Sequence, residues 1–176
     1  MLEDLPNNFK SFDLLKELCE RYPDFTEKLG VWLAEGKVNF FTEEEWNKIK
    51  SQNYVPPTKE ATDFFDMFRL GYNRGDCVGT SKQLSYSYND VDIVAGVLPL
   101  LKGTLNAEKE GGHCWLETKN NVIDTSLLLI IDKSIKSDLG YIEEQRLTSS
   151  QLRKDIFYQS RKDYVNDHGL KSTRAK

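Results

Sequence analysis

Residues 111–125 read Gly-Gly-His-Cys-Trp-Leu-Glu-Thr-Lys-Asn-Asn-Val-Ile-Asp-Thr, and this stretch predicts a β-hairpin. Apolar and aromatic residues in its first half and β-branched residues in its second half are typical of strands, which we place at 112–118 and 121–125. The amide-rich residues between them favour a tight turn. The hairpin therefore predicts that His113 and Asp124 lie on neighbouring antiparallel strands.

Two turns are compatible with this hairpin, and they place Asp124 differently. With a turn at 119–120, Asp124 lies on the same face as His113 and diagonal to it, with roughly 7–8 Å between their Cα atoms. With a turn at 120–121, Asp124 lies opposite Glu117, too far from His113 for a direct hydrogen bond. Both turns use suitable residues, so the sequence leaves the register open.

A cysteine lies where a loop is expected to give way to a helix. Cys77 follows Gly75 and Asp76 and precedes Val-Gly-Thr-Ser. The free N–H groups and the dipole at a helix N-terminus favour a thiolate and can hold a developing oxyanion. Cys77 is therefore a candidate nucleophile, with His113 as its base and Asp124 as the carboxylate that orients the base. The alternative is that Asp76 caps a helix whose first turn contains a buried cysteine.

The other thiols and the second histidine fit structural roles. Cys19 falls in the apolar stripe of a predicted helix at 11–22 and is interpreted as a small buried hydrophobe. His168 stands in a polar C-terminal tail. Three cysteines without CxxC spacing and two histidines give no four-ligand zinc set. We therefore predict free thiols in a reducing, cytoplasmic compartment, with no metal and no cofactor.

Charge and hydropathy exclude two classes of partner. The formal net charge is -4, and the basic residues are scattered, which argues against binding to nucleic acid. The acidic start of the chain does not read as a secretory signal. No apolar run approaches the roughly 20 residues that span a bilayer, so we expect no membrane-spanning segment.

The order of elements predicts an α+β fold. The pattern predicts helices at 11–22 and 25–35, a third opened by a capping box at 42–45, and a fourth at 58–70. It then predicts a strand over 91–101, the two strands of the hairpin, and a polar, helical remainder from about 134. A break at 54–58 separates a helical N-terminal region, 1–55, from a catalytic core, 56–176, and we expect both to belong to one compact domain. We expect the helix that bears Cys77 to pack on a small antiparallel sheet.

Three blocks of the chain resemble the signature blocks of the transglutaminase-like superfamily, to which papain-like cysteine proteases are related. They are Gly75-Asp76-Cys77, His113-Cys114-Trp115-Leu116-Glu117 and Val122-Ile123-Asp124-Thr125-Ser126. The resemblance covers roughly residues 70–130. It implies a papain-like scaffold with Cys77 as nucleophile, His113 as base, Asp124 as orienting carboxylate and Trp115 packed beside them. The chain departs from the family in its short interval between His113 and Asp124, in Cys114 at the middle of the His-x-Trp motif, and in lacking a calcium-binding acidic loop.

The triad and the resemblance together predict a cysteine hydrolase or acyl transferase of the peptidase, amidase or deamidase type. Its substrate would be a protein or peptide amide, attacked by Cys77 to give a thioester. A polar residue near Asn73 or Gln83 would help to hold the oxyanion, and we expect these two residues and Trp115 to contact the substrate. Two alternatives stand: a catalytically inactive binding or regulatory domain on the same scaffold, and, more weakly, an acetyltransferase of the arylamine type.

Overall fold

A computed structural model of the chain describes residues 2–7, 11–50, 77–85, 88, 90–104 and 111–152. The α-helices in these ranges are α1 (Asp13–Arg21), α2 (Pro23–Ala34), α3 (Glu43–Lys50), α4 (Cys77–Ser85), α5 (Lys136–Leu139) and α6 (Ser149–Leu152). The strands are β1 (Val38–Phe40), β2 (Asp92–Val97), β3 (Gly112–Glu117), β4 (Asn121–Asp124), β5 (Leu129–Asp132) and β6 (Ile142–Leu147). Short 3-10 helices cover Leu2–Asp4, Pro99–Leu101 and Lys133–Ile135. None of the described helices is long and apolar enough to cross a membrane.

The three N-terminal helices form where the sequence predicts them, with small differences at their ends. Pro23 occupies the first turn of α2, where the N–H that proline lacks has no partner within the helix. Gly36, with φ +71°, follows the last turn. The capping box opens α3: the Thr42 N–H donates to Glu45 Oε2 at 2.6 Å, and the Glu45 N–H donates to Thr42 Oγ1 at 3.2 Å. The predicted helix at 58–70 lies outside the described residues.

The six strands form one sheet in the order β1-β5-β4-β3-β2-β6, and every neighbouring pair is antiparallel. The strands at the centre are apolar and buried, and all six residues of β3 are buried. Helices and an antiparallel sheet give an α+β fold, as the order of elements predicts. The pairing of β1 with β5 brings a strand of the N-terminal region into this sheet.

Three sequence predictions about the sheet are wrong. The N-terminal region is not helical throughout, because it contributes β1. The region after 134 is not only polar and helical, because it contains β6, whose first four residues are exposed and which therefore lacks the alternating pattern of a half-buried strand. The strand predicted over 91–101 ends at Val97, and Pro99 starts a 3-10 helix because proline cannot donate to a strand ladder.

Helix α4 is fixed against the sheet by buried polar side chains. The Oγ1 atoms of Thr80 and Thr125 lie 2.7 Å apart. Ser81 Oγ donates to the backbone carbonyl of Cys114, in β3, at 3.4 Å. Since buried hydroxyls are costly unless they are hydrogen-bonded, these contacts fix the position of α4. They set Cys77, in its first turn, beside the sheet.

Candidate active site

The β3–β4 hairpin has the register that follows from a turn at 119–120. Leu116 pairs with Ile123 and Glu117 pairs with Val122. The Thr118 N–H closes the turn by donating to the Asn121 carbonyl at 2.9 Å. Continued away from the turn, this register places position 124 opposite position 115. Position 113 lies two residues further along β3, on the same face of the sheet and diagonal to position 124. The alternative turn at 120–121 is therefore not used.

His113 and Asp124 meet across this hairpin. His113 Nε2 lies 2.6 Å from Asp124 Oδ2, and both side chains are buried. Asp124 Oδ1 accepts hydrogen bonds from the backbone N–H groups of Ser126 and Leu127 at 2.9 and 2.8 Å. The carboxylate is therefore held from the strand on one side and from the tight turn after β4 on the other.

Cys77 completes the cluster. It lies in the first turn of α4 and is 4% exposed, and its side chain forms a hydrogen bond with that of His113. Because Nε2 of the imidazole is bound to Asp124, Nδ1 is the nitrogen left for the thiol. The structure thus brings the three predicted residues into one continuous chain of contacts, in the order thiol, imidazole, carboxylate.

The electrostatics favour an ion pair between His113 and Asp124. Burial alone lowers the pKa of His113, but the charge of Asp124 and hydrogen bonds to Asp124 and Cys77 outweigh burial and raise this pKa to about 10. Burial raises the pKa of Asp124, and the charge and hydrogen bond of His113, with the Leu127 N–H, more than reverse that effect and hold it below its ordinary value. At neutral pH the pair is an imidazolium and a carboxylate.

Tyr141 is a member of the cluster that the sequence analysis did not identify. Its hydroxyl donates to Asp124 Oδ2 at 2.6 Å, the same oxygen that His113 contacts. Tyr141 stands between Gly140, which ends α5, and the first residue of β6. Nothing in the local pattern marks it, because the contact depends on how the segment before β6 returns to the sheet.

Trp115 packs against the cluster from the same face of β3. Its ring centroid lies 6.0 Å from that of His113 and 5.0 Å from that of Tyr141, the latter at an interplanar angle of 62°. Trp115 has 0% of its surface exposed. This burial agrees with the expected packing beside the triad, and contact between Trp115 and a substrate stays a prediction.

Glu117 anchors a group of cations behind Trp115. The Trp115 indole N–H donates to Glu117 Oε1 at 2.9 Å. Lys136, Lys133 and Arg146 all form ion pairs with the same carboxylate. Burial raises the pKa of Glu117, but these hydrogen bonds outweigh it and lower the pKa to about 2. Sequence reasoning missed this group because Lys136 and Arg146 come from the segment after about 134, which the pattern predicts to be polar and helical.

The structure describes some of the other residues discussed above, but not all of them. Asn73 lies outside the described residues, and Gln83 lies in α4, where only its backbone is described. Cys19 is buried in α1, as its place in the apolar stripe predicts. Burial and the charge of Cys77 raise the pKa of the Cys114 thiol well above its ordinary value.

Within the described ranges, no three His, Cys, Asp or Glu side chains are grouped in a way that could hold a metal ion.

No protein-family model, curated protein or solved structure matches the chain.

Proposed function

We propose that the chain is a cysteine-dependent hydrolase or acyl transferase that acts through Cys77, His113 and Asp124. The observation that carries the proposal is the continuous contact from the Cys77 thiol through the His113 ring to the Asp124 carboxylate. A cysteine at the first turn of a helix, a base on one strand and a carboxylate on the next strand also support a transglutaminase-like, papain-like scaffold.

The first half of the proposed reaction forms a thioester and releases an amine. His113, as imidazolium, stabilises the Cys77 thiolate, which attacks the amide carbon as the carbonyl electrons move to oxygen. When the carbonyl re-forms, the carbon–nitrogen bond breaks and His113 gives its proton to the leaving nitrogen. Backbone N–H groups in the first turn of α4 are suited to hold the oxyanion.

The second half returns the enzyme to its starting state. Neutral His113 takes a proton from water while the water oxygen attacks the thioester carbon. Collapse of this intermediate breaks the carbon–sulfur bond, which restores the Cys77 thiolate and the His113 imidazolium and releases a carboxylic acid. An amine in place of water would give acyl transfer by the same steps.

The substrate class in this proposal is a protein or peptide amide, and the setting is cytoplasmic. Support for the setting comes from the thiols, because Cys19, Cys77 and Cys114 form no disulfide bond. Unpaired cysteines are typical of a reducing compartment. The proposal includes no cofactor, since each step above is carried by side chains and backbone of the chain itself.

One observation favours the second candidate, a binding or regulatory domain with an inactive triad. Cys77 is only 4% exposed, and a thiol that no substrate reaches does no chemistry. The two candidates differ in the reactivity of this thiol, because an activated thiolate reacts with an electrophile even at mildly acidic pH.

Alkylation by iodoacetamide from pH 5 to 9, followed at each cysteine by mass spectrometry, tests the proposal. Cys19 is an internal control, because its exposed fraction of 6% is close to the 4% of Cys77 and burial raises the pKa of its thiol. We expect Cys77 to react faster than Cys19 at pH 5–6 and to lose this advantage in His113→Ala. Equal, slow reaction of both thiols in the parent protein would exclude the enzyme and leave the binding domain.

A further inference from the structure

The Asp124 carboxylate accepts four hydrogen bonds, and two of them end on one oxygen. Oδ1 accepts from the backbone N–H groups of Ser126 and Leu127. Oδ2 accepts from His113 Nε2 and from the Tyr141 hydroxyl, each at 2.6 Å. An ionised carboxylate offers about four acceptor positions, so all of them are filled. Tyr141 therefore shares with His113 the negative charge of a single oxygen atom.

Packing of the ring holds the Tyr141 hydroxyl where it is. The ring stands nearly edge-on to Trp115, and its centroid is 6.4 Å from that of His113. Gly140, in the left-handed conformation at φ +88°, ends α5 directly before it. Tyr141 is 7% exposed, and burial and the charge of Asp124 raise the pKa of its hydroxyl well above the ordinary value. The hydroxyl is thus a fixed donor that stays protonated near neutral pH.

We propose that Tyr141 is a positioning residue of the triad, whose hydroxyl limits how strongly Asp124 holds the imidazolium proton of His113. A second donor on a shared oxygen withdraws negative charge from the first hydrogen bond. In the proposed reaction His113 must give a proton to the leaving nitrogen, and an imidazolium that is held too strongly is a poor acid. The catalytic meaning of this inference rests on the proposed function, but the sharing of the oxygen does not.

Other charges surround this arrangement and bear on the same proton. Among the described residues, the titratable and charged groups that face His113, Asp124 or Tyr141, or pair with a group that does, are Cys77, Cys114, Glu117, Lys133, Lys136 and Arg146. Cys77 forms its hydrogen bond with His113, whereas Glu117 faces Tyr141 and is balanced by the three cations. Only Tyr141 among these groups donates to the oxygen that His113 uses. Its removal should therefore change the His113–Asp124 hydrogen bond directly.

Proton NMR of protein labelled with 15N in its two histidines, His113 and His168, tests the inference. In Tyr141→Phe we expect the His113 Nε2 proton to move downfield, since Asp124 holds it more strongly. We also expect the pH at which the His113 imidazolium loses its proton to rise by about half a pH unit. This shift is smaller than the effect of removing a whole hydrogen bond to a charged group. Tyr141→3-fluorotyrosine keeps the ring and makes the hydroxyl a stronger donor, so both changes should reverse in sign.

The controls separate this effect from a general change in packing. Tyr22→Phe removes a hydroxyl from a half-buried tyrosine of the N-terminal region and should leave the His113 signal in place. An unchanged Nε2 proton, or a shift of the same sign in both Tyr141 variants, overturns the inference. If Tyr141→Phe does not fold, the inference is tested by the 3-fluorotyrosine variant alone, in which the His113 Nε2 proton must move upfield. Slow alkylation of Cys77 together with the expected NMR shifts would reject the proposed catalysis. The same result would still confirm that Tyr141 and His113 share Asp124 Oδ2.

Discussion

Trp115 and Glu117 are joined along one face of the same strand, by a hydrogen bond of 2.9 Å from the indole nitrogen to the carboxylate. The Nζ atom of Lys136 lies 5.6 Å from the centroid of the Trp115 ring and also pairs with Glu117. Trp115 is therefore held on its polar edge by the carboxylate and on its face by the cation. Because Trp115 packs against His113 and Tyr141, this relationship links the ion pairs to the candidate active site.

We expect Glu117→Gln to lower the free energy of unfolding by about 2 kcal/mol at pH 7, since it removes a charged partner from three cations and leaves them facing a neutral amide. Urea denaturation measures this loss. The pKa of Glu117 is lowered on folding to about 2. Its contribution is therefore complete above the unfolded pKa near 4.5 and is lost as the pH falls toward 2, so the difference between parent and variant should narrow below pH 4.5.

Glu144→Gln is the matched control for this change. Glu144 is exposed on β6, and its replacement makes the same change in charge on the same sheet. A substitution at such a surface position should alter stability by no more than about 0.5 kcal/mol. Equal losses in the two variants would mean that net charge, not the group around Glu117, sets the effect.

Asp124→Asn should remove the low-pH reactivity that we propose for Cys77. The amide carries no charge to hold an imidazolium, and its NH₂ group would favour the His113 tautomer that has its proton on the nitrogen facing the thiol. We expect the rate of Cys77 alkylation at pH 6 to fall at least about tenfold. A tenfold change corresponds to losing about one pKa unit of the electrostatic stabilisation that Asp124 gives to the imidazolium. Mass spectrometry of iodoacetamide-treated protein measures it. Asp138→Asn, at an exposed position of α5, should react like the parent.

The ion pair should also make stability depend on pH between neutral and alkaline conditions. Folding raises the pKa of His113 from 6.5 to about 10, so its contribution is complete below pH 6.5 and is lost as the pH rises toward 10. The double variant His113→Gln, Asp124→Asn lacks this titration. The excess stability of the parent over the variant, measured by urea denaturation, should therefore decrease from pH 6.5 to 10. An excess that stays constant would show that His113 is neutral in the folded protein.

The sequence predicts the relation between His113 and Asp124 only in part. A shift of the hairpin turn by one residue moves the pairing by two residues, which keeps every side chain on the same face of the sheet. Alternation of apolar residues therefore cannot distinguish turns at 119–120 and 120–121. In the observed register, β4 also pairs with β5, and Asp124 accepts hydrogen bonds from the turn that follows β4. Both sets of contacts depend on residues beyond the hairpin.

Strands at the edges of the sheet were hardest to predict, for a physical reason. β1 is three residues long, and the first four residues of β6 are exposed, so neither shows the burial pattern that marks a central strand. Tyr141 could not be found for the same reason, because it is placed by the return of the chain into β6. By contrast, the capping box and the apolar stripe of α1 are local features, and the helices they predict are present.

Gly111 should be required for the position of His113, two residues away. It has φ +75°, and a Cβ there would lie 2.5 Å from the Leu98 carbonyl oxygen, so Gly111→Ala is strained and also forces two backbone segments apart. Gly36→Ala is the matched control, because φ is +71° and a Cβ there meets nothing within 4 Å. We expect Gly36→Ala to cost about 1 kcal/mol of unfolding free energy and Gly111→Ala to cost more, with slower Cys77 alkylation only in the latter. Denaturation and iodoacetamide labelling of both variants measure this, and equal costs with unchanged Cys77 reactivity would show that the contact with Leu98 does not hold the start of β3.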